Sequence, residues 1–141
     1  MPAVPDYLRD LRAEARAREL LRETAGEDVY AMYAQLGFVA VEADGDGYGY
    51  LLYPHRPIVA YDTASGELLN EYCVRFPDDS DPSAGEWLPD ADDVLAKWIA
   101  LRADERGLIA TANLHLPGRQ HDPGMLRRDI AKLWEWEGAR V

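Results

Sequence analysis

The stretch FVAVEADGDGYGYLLY, residues 38–53, decides how this chain folds. A short apolar run leads into Asp44-Gly45-Asp46-Gly47, and an aromatic-rich segment follows over residues 48–53. Asp-Gly pairs between two apolar runs are a strong hairpin signal, because glycine adopts the positive φ angles that tight turns need. The stretch therefore predicts two antiparallel strands joined by a short turn.

Two further strands are predicted directly after this hairpin. A loop bracketed by prolines leads into an apolar strand over residues 58–62, and a fourth strand covers residues 67–76 after a turn. In the fourth strand, period-two spacing places four apolar residues on one face: Leu68, Tyr72, Val74 and Phe76. Such alternation is typical of a sheet with one face covered.

Helical patterns stand on both sides of the strands. One helix is predicted from Asp6 to a stop at Gly26, and a second over residues 29–36, ended by Gly37. The first has a predicted apolar face made of Tyr7, Leu8, Leu11, Ala15, Leu20 and Leu21.

Two more helices are predicted after the strands, separated by an extended segment at residues 108–116. The earlier one begins at Asp90 or Asp92, with a buried stripe of Val94, Leu95, Trp98 and Ile99. The later one has an inner stripe of Met125, Leu126, Ile130, Leu133 and Trp134. The order predicts an α+β fold, an antiparallel four-stranded meander with N-terminal helices and two C-terminal helices packed on one face.

Length and cysteine content bound the organisation of the chain. At 141 residues, one domain is expected over residues 6–141, after a flexible tail at 1–5 and with an acidic loop at 77–89. The lone Cys73 cannot form an internal disulfide, and the start of the chain has no signal-like apolar run. No apolar stretch approaches the ~20 residues of a membrane span. A cytoplasmic protein without a membrane partner is therefore expected.

The chain is strongly acidic, with a formal net charge of −11, and the excess is local. Residues 37–122 hold sixteen acids and six basic residues. Such a surface repels phosphate backbones and favours basic partners, so direct nucleic-acid binding is disfavoured. The predicted docking carboxylates are those of the acidic loop, Asp78, Asp79, Asp81 and Glu86. Taken by itself, the acidity is favoured as a feature that only keeps the protein in solution, and docking is the alternative interpretation.

The sequence of the hairpin turn also partly matches the pattern of a calcium-binding loop. Glu42, Asp44 and Asp46 would stand at its first, third and fifth positions, with Gly47 at the required place. The closing position falls on Tyr53 instead of a bidentate glutamate, and strands flank the loop where helices are needed. Turn formation is the favoured interpretation.

His115, His121 and Asp122 are the strongest candidates for catalysis. Their spacing could hold a divalent metal or supply a general base, which makes a small metal-assisted hydrolase the alternative function. Exposed loop histidines are the favoured interpretation, because the spacing matches no specific motif. Cys73 lacks a clearly electropositive setting, and no nucleotide-binding fingerprint occurs, so no cofactor is predicted.

Aromatic residues supply the remaining candidate surface, with eight tyrosines and four tryptophans. Strand alternation places Tyr53 opposite Tyr48 and Tyr50, and Trp136 lies roughly 200° around the last helix from Trp134. Tyr53 and Trp136 are predicted binding residues, because exposed Tyr and Trp are enriched at binding hot spots. Packing in the core or at its edge is the favoured interpretation.

Several short motifs resemble a loosely defined set of small bacterial proteins. They are Ala17-Arg18-Glu19-Leu20-Leu21, the Tyr72-Cys73-Val74-Arg75-Phe76-Pro77 strand end, the Leu88-Pro89-Asp90-Ala91-Asp92 helix start and Ala112-Asn113. The resemblance covers residues 15–115 and implies one compact domain. The acidic insertion at 78–86 and the last helix depart from it. It implies no activity, so no functional residue is carried over.

The leading functional hypothesis is a non-catalytic acidic module that binds a basic protein surface at residues 62–93, or serves in an assembly. Small size, acidity and the lack of catalytic motifs in the sequence motivate it. Regulatory, immunity, anti-defence and virion accessory proteins, including those of phages or mobile elements, fit this profile. Self-assembly or a structural role is a separate third hypothesis.

Overall fold

The turn at residues 43–47 joins two antiparallel strands, as the sequence predicts. The computed structural model describes residues 6–74, 88–112 and 122–140. In it, β1 (Val39–Glu42) pairs with β2 (Tyr48–Leu52), and Gly47 adopts a φ of 86°. β3 (Ile58–Asp62) and β4 (Leu68–Tyr72) extend the sheet in the order β1-β2-β3-β4, with every pair antiparallel. The predicted α+β class with a four-stranded meander is confirmed.

Five helices accompany the sheet in the described part of the chain. They are α1 (Asp6–Ala25), α2 (Glu27–Leu36), α3 (Asp90–Ala103), α4 (Glu105–Thr111) and α5 (Pro123–Ala139). Gly37 ends α2 in the left-handed conformation, and its N–H donates to the Tyr33 carbonyl. None of the described helices is both long and apolar enough to cross a membrane.

Helix α4 stands where the sequence predicts an extended segment. Asp104 caps it, because its side chain accepts a hydrogen bond from the Gly107 N–H at 3.0 Å. Leu108 and Ile109 pack partly buried against the core from this helix. A short apolar run does not distinguish strand from helix by spacing alone, and here the cap decides. Residues 113–121 lie outside the described residues.

Both faces of the sheet are covered. Alternate residues of β2 and β3, such as Tyr50 and Ile58, meet α1, α2, α3 and α4 on one face. The residues between them, such as Leu51 and Val59, meet the buried face of α5, which is Leu126, Ile130 and Leu133. The C-terminal helices therefore lie on opposite faces, not on one. The central strands are apolar at nearly every position, and such strands need cover on both sides.

A bulge between β3 and β4 changes which residues of β4 face the core. Ala60 pairs with Asn70 and Tyr61 pairs with Leu68, so Leu69 is the extra residue and is 53% exposed. Leu68 consequently packs on the α5 side, whereas Tyr72 packs on the other face. The sequence places Leu68 and Tyr72 on one face, because strict alternation does not anticipate a bulge.

Helix α1 buries a narrower face than its sequence suggests. Ala17 and Leu21 are buried, whereas Leu11 is 62% and Leu20 is 49% exposed. The helix packs on α3 and α2 and leaves its outer face available. The predicted tail at 1–5 and residues 75–87 lie outside the described residues.

Candidate functional site

A buried ion pair joins α3 to the loop between β2 and β3. Asp93 and Lys97 stand one turn apart on α3, are 3% and 2% exposed, and lie 2.5 Å apart. The Lys97 ammonium also donates to the carbonyls of Tyr53 at 2.7 Å and Arg56 at 2.8 Å. All three ammonium hydrogens thus have acceptors, so the buried charge is fully satisfied. The pair holds this loop against α3.

His55 stands at the tip of the same loop. Its backbone has a φ of 59°, in the left-handed region, and its N–H donates to Asp93 at 2.7 Å. The imidazole Nε2 lies 3.2 Å from Asp90, which is exposed at the first position of α3. A strained residue persists where its surroundings hold it in place, and here Asp93 does so. This arrangement orients the ring but offers no nucleophile.

Glu14 of α1 caps α3 from outside the helix. Pro89 occupies the N-cap position and gives no side-chain cap, and the Ala91 N–H instead donates to Glu14 at 2.9 Å. The same carboxylate accepts from Tyr33 at 2.9 Å and from Arg18 at 2.8 Å. Burial, followed by this hydrogen bond, raises the pKa of Tyr33 above its ordinary value. Glu14 therefore joins α1, α2 and α3.

Tyr53, a predicted binding residue, belongs to the core. It is 7% exposed, and its hydroxyl donates to Asp129 of α5 at 2.6 Å. Burial, followed by this bond to a carboxylate, raises the pKa of Tyr53 above its ordinary value. The alternation that places it opposite Tyr50 is confirmed. That face is covered by α5, so the ring has little surface to present.

The two tryptophans of α5 differ in how they pack. Trp136, a predicted binding residue for which packing is the favoured interpretation, packs partly buried against the α5-side core, with the Arg140 guanidinium 4.4 Å from its ring centre. Trp134, predicted in the inner stripe, is 43% exposed. It lies beside Gly66 of the turn after β3, where an added Cβ would come within 3.6 Å of its ring. The inner stripe is centred on Ile130, so Trp134 falls on its flank.

The end of the sheet opposite the loop between β2 and β3 has exposed charges instead of buried ones. The turns before β2 and before β4 meet there, since the Thr63 N–H donates to the Gly47 carbonyl at 3.0 Å. We call this region the acidic end and define it by four exposed carboxylates, Glu42, Asp44, Asp46 and Glu67. Within the described part of the chain, none of the four forms an ion pair. These charges are available to a partner.

Other carboxylates near the acidic end have structural roles. Asp62 accepts hydrogen bonds from the N–H groups of Ser65 and Ala64, both at 2.8 Å, and these bonds lower its pKa. Glu105 of α4 accepts from the Asp44 N–H at 3.1 Å. Burial, with Glu137 and Glu42 nearby, raises the pKa of Tyr61 to about 12.

Several basic side chains are engaged with the chain itself. Arg18 pairs with Glu14, Arg22 with both Glu19 and Glu27, and Arg140 with Asp28. Arg102 lies over the Trp98 ring at 5.6 Å. These contacts are on the helices, so the internal cations neutralise acids away from the acidic end.

Of the remaining predicted site residues, only Asp122 lies within the described part of the chain. The docking residues Asp78, Asp79, Asp81 and Glu86 and the candidates His115 and His121 lie outside the described residues. Asp122 is the N-cap of α5, and its carboxylate accepts from the Gly124 N–H at 3.1 Å. Within residues 6–74, 88–112 and 122–140, no group of three side chains is arranged to hold a metal.

The buried pair is not among the residues predicted from the sequence, although its signal is present. Lys97 follows Asp93 by four positions and stands three positions after Val94 and four before Leu101, on the buried face of α3. A lysine inside an apolar stripe requires a carboxylate partner. Asp93 fits that requirement at the right spacing.

Comparisons with family models, with curated proteins and with solved structures find no match to this chain. The resemblance of residues 15–115 to a set of small bacterial proteins stays a prediction.

Proposed function

We propose that this chain is a non-catalytic module that binds a basic protein surface through the acidic end. The observation that carries the proposal is the set of four exposed carboxylates without ion pairs among the described residues, gathered where two turns meet. Their mutual repulsion gives nothing to the fold, whereas a cationic surface would neutralise them.

The contrast with the buried charges supports a docking role. Asp93, Lys97 and Glu14 are satisfied by protein partners and join elements of the fold. A functional surface of exposed charges acts mainly on association rate and specificity, so its binding should weaken steeply with salt. Regulatory, immunity, anti-defence and virion accessory roles all use this kind of contact. A nucleic-acid partner is disfavoured, because its phosphates carry the same sign of charge.

The test compares two triple variants in pull-downs from the native source. Glu42→Gln, Asp46→Asn and Glu67→Gln neutralise the acidic end. The control carries Asp10→Asn, Glu27→Gln and Glu135→Gln, which remove the same charge from exposed helical positions. We expect a basic protein that the wild type and the control retain at low salt and that the acidic-end variant loses.

Two outcomes would overturn the proposal. One is that no basic protein is retained by the wild type at low salt. The other is that the same protein is retained equally by both triple variants, which would make net charge, rather than this surface, responsible. A third variant that neutralises Asp78, Asp79, Asp81 and Glu86 measures the contribution of the predicted loop.

A further inference from the structure

The outer face of α1 carries charges that are divided along the helix. Five residues at three- and four-residue spacings share this face and are exposed: Arg12, Arg16, Glu19, Leu20 and Glu23. The two cations stand toward the N-terminus and the two acids toward the C-terminus. Within the described residues, Arg12, Arg16 and Glu23 form no ion pair, whereas Glu19 pairs with Arg22.

A groove runs beside this face, between α1 and the start of α3. It has a volume of about 180 Å³, and Ala13, Arg16, Ala17, Leu20, Pro89 and Asp92 line it. The alanines leave room at the helix surface, and the half-exposed Leu20 stands at the rim. The groove therefore has the size and the apolar walls to receive a branched aliphatic side chain.

The charge division makes this face complementary to itself. If a second α1 lies antiparallel and crosses the first between Ala17 and Arg18, residues equally far from that point become level. Arg12 then faces Glu23 of the second copy, and Arg16 faces Glu19, in one register. The same register brings Leu20 of the second copy between Ala13 and Arg16, within the span of the groove. A parallel arrangement would oppose like charges.

We propose that a second copy of this chain docks on α1 in this antiparallel register, forming a two-fold symmetric dimer. The interface is isologous, so every contact occurs twice. A contact built on one helix from each copy falls at the low end of interface sizes, below about 1,200 Å². The dimer is accordingly weak and forms reversibly as concentration rises. It leaves both acidic ends free for the basic partner, and it does not depend on the function proposed above.

Sedimentation velocity on single charge reversals tests the interface. The wild type is measured from about 10 μM to about 500 μM, a range suited to a weak contact. Arg12→Glu and Glu23→Arg should each raise the dimer dissociation constant at least about tenfold, because each places two like-charged pairs across the interface. The two changes shift net charge in opposite directions. An effect of net charge alone would therefore raise the dimer dissociation constant in one variant and lower it in the other.

Mixing the two variants gives the sharpest result. One chain then offers acids at positions 12 and 23, and the other offers cations at both, so every cross-interface pair is favourable in the heterodimer. We expect the mixture to dimerise at concentrations where each variant alone is monomeric. Arg127→Glu and Glu135→Arg on α5 are the matched control and should behave as the wild type, with circular dichroism confirming the fold of all variants.

A wild type that is monomeric throughout the concentration range overturns the proposal. So does a dimer that persists in both reversals, or a mixture that shows no gain over the single variants. Binding of the basic partner by Arg12→Glu is measured in the same samples. Its retention alongside a lost dimer separates this proposal from the docking role of the acidic end.

Discussion

The two ends of the sheet carry the same kinds of charged residue and use them in opposite ways. At the end formed by the loop after β2, Asp93 and Lys97 are buried, paired and bonded to loop backbone. At the acidic end, four carboxylates point outward without ion pairs in the described chain. The charges at the first end hold elements of the fold together, and the charges at the second are free to contact another molecule.

Burial produces this difference. A charge that leaves water must find partners within the protein, so Lys97 has three acceptors and Asp93 has two donors. A charge at an exposed turn keeps its water and needs none. Formal net charge alone, −11 for this chain, therefore says little about which acids are functional.

The largest expected effect comes from breaking the buried pair. Lys97→Met removes the cation and leaves Asp93 and two carbonyls without their partner, so we expect a loss of about 3–5 kcal/mol in the free energy of unfolding. Urea denaturation measures it. Lys132→Met, at an exposed position of α5, is the control and should change stability by less than about 0.5 kcal/mol. Equal losses in the two variants would show that the buried pair stabilises the fold no more than an exposed lysine does.

A smaller loss is expected from Tyr53→Phe. The change keeps the buried ring but removes the hydroxyl that donates to Asp129, a hydrogen bond to a charged acceptor. Such bonds contribute about 1.5–3 kcal/mol to the free energy of unfolding. Because Asp129 is partly exposed, we expect a loss near the lower limit of that range. Tyr30→Phe serves as the control for loss of a tyrosine hydroxyl. A stability equal to that of the wild type in urea would show that the bond adds nothing.

Asp62 sharpens the comparison, because it lies at the acidic end yet has a structural role. Two backbone N–H groups lower its pKa, so its ionised form contributes stability above its ordinary pKa, and that contribution is lost as pH falls through the lowered value. Asp62→Asn should therefore cost stability at neutral pH, by less than Tyr53→Phe does. The difference from wild type should shrink toward pH 2. A pH-independent difference in urea midpoints would contradict this assignment.

The smallest effect on stability is expected from the acidic-end triple variant, Glu42→Gln with Asp46→Asn and Glu67→Gln. No described contact is lost, and mutual repulsion falls, so the free energy of unfolding should stay within about 0.5 kcal/mol of wild type or rise slightly. Thermal and urea denaturation both measure it. A loss above about 1 kcal/mol would mean that these acids hold the fold together.

Sequence patterns predict the sheet well and its covering less well. The Asp-Gly turn and the apolar runs determine β1, β2 and β3 nearly residue by residue, because turn chemistry and period two are local properties. The bulge at Leu69 and the helix at 105–111 are not predicted, because a register shift and a helix cap depend on contacts elsewhere. The position of α5 follows from apolar residues on both faces of the central strands.

The candidate site is predictable only in its charge. An acidic middle segment is evident in composition, but which carboxylates remain unpaired depends on the fold. Tyr53 illustrates the limit, because alternation assigns its face correctly while the helix that covers this face is far away in sequence. Asp93 and Lys97 illustrate the converse, since their i, i+4 spacing on an apolar stripe signals the pair.

A basic partner is expected to contact the acidic end and not the end formed by the loop after β2, where Asp93 and Lys97 are buried. Amide chemical-shift mapping of the ¹⁵N-labelled protein, titrated with the recovered partner, tests it residue by residue. We expect shifts concentrated at residues 42–49 and 62–67, reduced by raising the salt concentration. Shifts concentrated at residues 53–57 and 90–97, with the two turns unaffected, would contradict it.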